Sequence, residues 1–249
     1  MCYDDQARAP IPPGEARAIR SESLVLTAGD GNRFAAYAAL PEGGATAQVL
    51  ILPDVRGLHA FYQDLADRLA QTGVAALAMD YFGRTAGVGA RDESFDFWPH
   101  ARQLTVPTVL ADARAGLAEL RARAGADGGQ YTLGFCVGGS LSFFCGAEEL
   151  GLAGIVAFYS GLTREIGPAG SVLDNAARVR VPVLGLFGGA DQGIPVEAVH
   201  TLDERLDEAS IDHTIVIYPD APHSFFDRRA TEFADASADA WQRVLGFLA

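Results

Sequence analysis

The residue best suited to catalysis is Cys136, within the stretch Gly-Phe-Cys-Val-Gly-Gly at residues 134–139. An apolar stretch typical of a β-strand precedes it, and a stretch typical of a helix follows it. A strand-to-helix turn this tight strains the backbone and leaves room only for small neighbours, which is the setting of a nucleophile elbow. Because the N-terminus of a helix favours a thiolate, the pattern predicts a cysteine nucleophile. The alternative is a buried, inert cysteine in such a turn.

An aspartate and a histidine follow Cys136 in an order that suits this chemistry. Asp191 comes after the apolar stretch 183–187, at the edge where open α/β sheets build their sites. His223 lies on a proline-bounded loop beyond the last predicted strand. The order of nucleophile, acid and base is that of the α/β-hydrolases, so we predict a Cys-His-Asp triad. The alternative for Asp191 is a turn residue that caps the helix starting near Pro195.

Eight short stretches rich in apolar and β-branched residues predict eight strands, separated by stretches of helical periodicity. The strands are expected at residues 23–27, 33–40, 48–52, 74–79, 131–135, 154–158, 183–187 and 214–218. The later stretches are continuously apolar, which suits parallel strands buried on both faces. The helices are expected at residues 61–72, 107–124, 140–150, 196–209 and 229–248. The alternation predicts an α/β fold of the α/β-hydrolase type, a mostly parallel eight-stranded sheet with helices on both faces.

The length of 249 residues suits one α/β domain, expected over residues 21–249 after an N-terminal arm at residues 1–20. The arm lacks the apolar stretch of a signal peptide, and no run approaches the roughly 18 apolar residues of a membrane span. We therefore expect a cytoplasmic protein without membrane contacts. Residues 83–99 are Gly-rich and then acidic and aromatic, and we expect a loop or partial lid over a site there.

Charge and residue usage exclude several classes of function. The formal net charge of −13 at pH 7, with no basic run, disfavours nucleic-acid binding. All 19 basic residues are arginine, which excludes a Schiff-base lysine and the lysine of a P-loop. The three cysteines, Cys2, Cys136 and Cys145, fit no zinc or disulfide framework, as expected in a reducing compartment.

The loops around the three triad candidates resemble those of the dienelactone hydrolase family. The resemblance includes Pro-Asp-Val-Arg-Gly at residues 53–57 and His-Ser-Phe at residues 223–225, and it covers essentially residues 20–249. It implies hydrolysis of enol-lactones, such as dienelactone to maleylacetate, in the degradation of aromatic compounds. It also implies that neither a metal nor a cofactor takes part, and that Cys136, His223 and Asp191 form the triad.

The resemblance implies further contacts around the thiol. Asp54 would be the acidic residue near Cys136, in the place of a glutamate. An anionic lactone needs cations that an acidic protein must supply locally, and Arg84 matches the family's carboxylate-binding arginine. The candidates for substrate contacts are Arg84, Ser224, Tyr159 and Arg228.

The mechanism that we expect is attack of the Cys136 thiolate on an ester carbonyl, which gives a thioester. Backbone N–H groups of Val55 and Val137 would stabilise the oxyanion. A general carboxylesterase or thioesterase on the same triad is the closest alternative. A redox-sensing or binding protein, with Cys145 as the oxidation partner of Cys136, is a second alternative. The expected partner is a small, anionic ester or lactone, and the expected state is a monomer or weak homodimer.

Overall fold

The structure is a computed structural model that describes residues 6–125 and 127–249. One eight-stranded sheet forms its centre, in the order β1-β2-β4-β3-β5-β6-β7-β8. The strands are β1 (Ile19–Thr27), β2 (Arg33–Pro41), β3 (Ala47–Leu52), β4 (Val74–Met79), β5 (Gln130–Phe135), β6 (Gly154–Phe158), β7 (Val183–Gly188) and β8 (His213–Tyr218). Strands β3 to β8 run parallel to one another, and β1 and β2 add an antiparallel edge.

The α-helices of the described residues are five longer ones and three single turns. They are α1 (Ala60–Gln71), α2 (Gly83–Ala86), α3 (Trp98–Ala101), α4 (Val106–Ala124), α5 (Val137–Gly146), α6 (Val172–Asn175), α7 (Val196–Glu208) and α8 (Ala234–Leu248). Among the described residues, none of these helices combines the length and apolarity that a membrane span requires.

Helices cover both faces of the sheet, as predicted. A Cβ added at Gly154 of β6 would meet Phe247 of α8, whereas a Cβ at Gly146 of α5 would meet the next strand residue, Ile155. Because successive strand residues point to opposite faces, α5 and α8 lie on opposite sides of the sheet. The central parallel strands β3 and β4 are buried along their whole length, which explains their unbroken apolar runs.

The predicted eight-stranded, mostly parallel sheet is confirmed, with small shifts at element ends. Strand β1 begins at Ile19, and the helix expected at residues 140–150 begins directly after Cys136 and ends at Gly146. The helix expected at 229–248 begins only at Ala234. The preceding residues form consecutive turns instead, in which Asp227 accepts the backbone N–H of Arg228.

The described part of the N-terminal segment lies against the body of the protein. Ala9 is buried, and its N–H donates to Asp64 on α1 at 2.8 Å. The indole Nε1 of Trp241 on α8 donates to the carbonyl of Pro10 at 2.9 Å. This segment therefore joins the first and last long helices. Cys2 lies outside the described residues.

Candidate active site

Cys136 occupies the turn between β5 and α5 with a left-handed backbone, at φ 56° and ψ −116°. Such a conformation costs a non-glycine residue of the order of 1–3 kcal/mol and needs support from its surroundings. Here the Cys136 N–H donates to the carbonyl of Phe158 on the neighbouring strand at 3.0 Å. The thiol is thereby presented at the carboxyl edge of the parallel strands and at the N-terminus of α5.

The glycines around Cys136 are required by close backbone packing. A Cβ at Gly134 would lie 2.0 Å from the carbonyl oxygen of Gly138, and a Cβ at Gly138 would lie 2.1 Å from that of Leu52. Real Cβ atoms do not approach backbone this closely. Helix α5 therefore begins in contact with both its own strand and the end of β3.

Asp191 and His223 form a direct hydrogen bond. Nδ1 of His223 lies 2.6 Å from Oδ2 of Asp191, and the other carboxylate oxygen accepts the N–H of Gly193 at 2.8 Å. The Asp191 side chain is 2% exposed and that of His223 is 30% exposed. Because the carboxylate accepts the Nδ1 hydrogen, Nε2 is the ring nitrogen left to act toward the cavity.

The loops that carry Asp191 and His223 also pack backbone against backbone. A Cβ at Gly188 would lie 2.2 Å from the carbonyl oxygen of Ala221, and the N–H of Ala190 donates to that same oxygen at 3.0 Å. Main-chain contacts thus fix the separation of the two loops that carry Asp191 and His223.

A cavity of about 1020 Å³ opens at this edge of the sheet. Six of the sequence candidates line it, namely Cys136, Asp191, His223, Val55, Val137 and Arg228. Among the described residues, the backbone N–H groups of Val55 and Val137 have no acceptor within the protein. Two unpaired N–H groups beside a cysteine thiol are the arrangement that can stabilise an oxyanion.

The structure places Asp54 next to the cavity wall but not in it. Its carboxylate is 4% exposed, accepts the N–H of Arg56 at 2.8 Å and lies 3.4 Å from Nε2 of His59. The hydroxyl of Tyr81 donates to the carbonyl oxygens of Pro53 and Asp54. The carboxylate therefore forms hydrogen bonds within its own loop. Burial, and next the charge of Asp54, keep the pKa of Tyr81 well above its usual value.

Arg84, expected to bind a substrate carboxylate, does not line the cavity. Its guanidinium contacts Asp30 at 2.6 Å and Asp112 at 2.7 Å, and donates to the carbonyl of Thr108 at 3.2 Å. Burial raises the pKa of Asp112 to about 6, although the nearby Arg84 opposes that shift. Arg84 is thus occupied in joining α2 to α4, which a sequence match cannot show.

Ser224 and Tyr159, two further candidates for substrate contacts, are fully buried and do not line the cavity. Both have left-handed backbones, with φ of 63° and 35°. The Tyr159 hydroxyl donates to Asp227 at 2.9 Å, and its ring centroid lies 4.9 Å from that of His223. Tyr159 therefore packs behind the histidine and braces its loop.

Sequence reasoning missed several residues of the cavity. They are Trp98, Arg102, Leu104, Arg164, Ile166 and Phe233. The expectation of a loop or lid at residues 83–99 indicated part of this wall, but no motif distinguishes Arg102 or Arg164 from a surface arginine. Among the described residues, no group of three or more His, Cys, Asp or Glu side chains is placed to hold a metal ion.

Cys145, the other described cysteine, differs sharply from Cys136. It lies on α5, fully buried, and burial raises the pKa of its thiol to about 12. A thiol of that kind is neither a nucleophile nor readily oxidised near neutral pH.

The similarity of this chain to known proteins agrees with the fold described above. The sequence profile of the dienelactone hydrolase family matches residues 34–249. A protein of Methylorubrum extorquens that is provisionally named carboxymethylenebutenolidase is 31% identical, over 84% of this chain and 74% of its own length. A protein of Escherichia coli O157:H7 with the same provisional name is also 31% identical, over 86% of this chain and 82% of its own length.

Solved structures lead to the same family. The crystal structure of a protein provisionally named dienelactone hydrolase from Klebsiella pneumoniae superposes with a TM-score of 0.81 at 29% identity. The match covers 93% of this chain and 99% of that one. A dienelactone hydrolase-like promiscuous phosphotriesterase from metagenomic libraries gives 0.74 at 25% identity, over 93% and 98%. The protein described here is a carboxylic ester hydrolase of the α/β-hydrolase superfamily and belongs to the dienelactone hydrolase family.

Proposed function

We propose that this hydrolase opens enol-lactones or activated esters through a thioester on Cys136, with His223 as general base and acid and Asp191 as its orienting partner. The observation that carries the proposal is the 2.6 Å contact of Asp191 with His223 in the cavity that Cys136 lines. The name carboxymethylenebutenolidase, carried by relatives, points to the same substrate class.

In the first half-reaction, His223 takes the proton of the Cys136 thiol. The thiolate forms a bond to the carbonyl carbon, and the carbonyl oxygen takes the negative charge. The N–H groups of Val55 and Val137 stabilise this oxyanion, a contribution typically of about 10²–10³ in rate for each donor. The carbon–oxygen bond to the leaving group then breaks. The leaving oxygen takes a proton from His223, and a thioester remains on Cys136.

In the second half-reaction, His223 removes a proton from water, and the resulting hydroxide adds to the thioester carbonyl. The carbon–sulfur bond breaks, which releases the carboxylic acid, and His223 returns its proton to the sulfur of Cys136. An enolate or phenolate is a good leaving group, so activated esters can acylate the thiolate readily. An amide would need its poor leaving group, an amine, to be protonated first.

The experiment that tests this mechanism compares the wild type with Cys136→Ala on p-nitrophenyl acetate and on a dienelactone. We expect the variant to lose at least about 10³-fold in kcat/KM while keeping its circular dichroism spectrum and melting temperature. Acid quenching during turnover should reveal an acyl group on Cys136 by peptide mass spectrometry. Wild-type turnover by the folded variant would overturn the proposal.

Cys145 is the internal control for chemical modification. Iodoacetamide should label Cys136 and stop turnover, while the buried thiol of Cys145 stays unlabelled in the native protein. The same burial argues against a redox function in which Cys145 is the oxidation partner. Loss of activity that follows labelling of Cys145 instead would contradict our assignment.

A general carboxylesterase on the same triad is favoured by one observation, the engagement of Arg84 by Asp30 and Asp112 outside the cavity. The ratio of dienelactone to p-nitrophenyl acetate turnover distinguishes the two candidates. A ratio well above one supports a lactonase, and Arg84→Gln should leave this ratio unchanged because the side chain does not reach the substrate.

A further inference from the structure

The cavity is larger than a small lactone requires. Its volume of about 1020 Å³ lies just above the range of about 300–1,000 Å³ that holds drug-sized ligands. A single lactone ring with one carboxylate would leave most of this space to water. The cavity therefore has room for a substrate with an extended part.

One wall of the cavity, formed by Trp98, Arg102 and Leu104, is apolar apart from a single cation. Trp98 is 43% exposed, one of the few large apolar side chains of the described residues on the surface. Its ring contacts the buried ring of Phe97, with centroids 4.9 Å apart. An exposed tryptophan beside a cavity is typical of a surface that binds an apolar group.

Arg102 is available for a ligand. The side chain is exposed, and among the described residues no carboxylate lies within ion-pair distance of it, in contrast to Arg84 and Arg91 on the same stretch of chain. No acidic residue of this stretch lines the cavity. An unpaired guanidinium at the end of an apolar wall is suited to bind a carboxylate.

Strand order tells which part of a substrate meets this wall. Cys136 follows β5, which lies between β3 and β6 in the sheet. The segment with Arg102 follows β4, on one side of β5. The loops with Arg164 and His223 follow β6 and β8, on the other side. His223 must protonate the leaving oxygen, so the leaving group lies toward β6–β8. The acyl chain therefore extends from Cys136 toward Trp98 and Arg102.

We propose that the substrates are esters of extended dicarboxylic acids, whose apolar chain packs on Trp98 and Leu104 and whose distal carboxylate binds Arg102. This inference rests on the proposed hydrolysis at Cys136. It adds a specificity-determining arginine and a substrate class, without any change in the catalytic steps.

The test uses mono-p-nitrophenyl esters of adipic, suberic and sebacic acids and the same esters with the distal carboxylate capped as a methyl ester. All release the same leaving group, so differences in kcat/KM report the acyl end. We expect one chain length at which the free acid is preferred about tenfold over its capped form at low salt, which is the effect of one charge-assisted contact. The preference should shrink as ionic strength rises.

Arg102→Gln should abolish this preference and leave kcat/KM for the capped esters within about twofold. Arg164→Gln exchanges another exposed, unpaired arginine of the same cavity and should retain the preference. Equal turnover of acid and capped esters by the wild type would overturn the inference. Loss of the preference for the free acid in Arg164→Gln but not in Arg102→Gln would also overturn it. Failure to hydrolyse any of the esters, capped or free, would instead contradict the proposed function.

Discussion

The loops that carry Cys136, Asp191 and His223 are joined through their main chains, whereas the segment that carries Trp98 and Arg102 is held by buried side chains. At the triad, missing Cβ atoms allow backbones to approach within about 2 Å of where a side chain would be. In the other region, Arg91 contacts Asp80 at 2.9 Å and donates to the carbonyl of Gly87 at 2.6 Å. Main-chain contacts leave no space for an added side chain at these glycines, so we expect the geometry of the triad loops to tolerate fewer substitutions than the segment with Trp98 and Arg102.

The strongest test of the rigid region is Asp191→Asn. An asparagine keeps the shape but cannot stabilise the imidazolium or fix the same tautomer, so we expect kcat to fall by about 10³-fold or more with little change in KM. Asp220→Asn is the matched control, since Asp220 also lines the cavity but is exposed. A loss below tenfold would mean that His223 does not depend on Asp191.

Removing the ion pair of Arg91 with Asp80, in the segment with Trp98 and Arg102, should affect stability and substrate binding rather than the chemical step. Arg91→Gln leaves the fully buried carboxylate of Asp80 without its cation, which typically costs about 3–5 kcal/mol in free energy of unfolding. Urea titration checks this value, and KM for extended esters should rise more than kcat falls. The exposed pair of Arg180 with Glu149 provides the control, because Arg180→Gln should change stability by less than about 1 kcal/mol.

The sequence predicts the triad loops better than the segment with Arg84 and Arg102, because main-chain contacts define the first and side-chain contacts the second. The triad and the strand ends are signalled by glycines, chain order and apolar runs, because main-chain geometry restricts residue type. The positions of Arg84 and Arg102 depend on which carboxylates lie nearby in space. Asp30 and Asp112 are distant from Arg84 in sequence, so its engagement was not predictable. The burial of Ser224 and Tyr159 likewise depends on how the turns before α8 pack.

The pH dependence of stability offers a smaller test, at the Arg84–Asp112 contact. Burial raises the pKa of Asp112 from about 3.8 to about 6, so the unfolded chain loses this proton at lower pH than the folded protein. The folded state therefore loses stability as the pH rises from about 4 to about 6, by roughly 2–3 kcal/mol at about 1.4 kcal/mol for each pH unit. In Asp112→Asn this part of the slope should vanish, as measured by urea unfolding at pH 4 and pH 7. An unchanged slope would mean that Asp112 titrates normally.

The smallest expected effect concerns Tyr159, which braces the histidine loop. Tyr159→Phe removes the hydroxyl that donates to Asp227 and keeps the ring that packs on His223, so kcat should fall only a few-fold, and the pH profile of kcat should shift. Tyr131→Phe, whose ring packs on Phe247 far from the cavity, is the control and should be silent. Identical pH profiles for Tyr159→Phe and wild type would show that the hydroxyl has no influence on the histidine.

The hydrogen bond of Trp241 to Pro10 has a consequence for folding during synthesis. The two residues are 231 positions apart, and Ala9 is at the same time held by Asp64. The N-terminal segment can therefore dock fully only after α8 has left the ribosome, although the sheet strands next to α1 are made much earlier. A nascent chain arrested before Trp241 should consequently be more sensitive to proteolysis at residues 6–18 than the released protein.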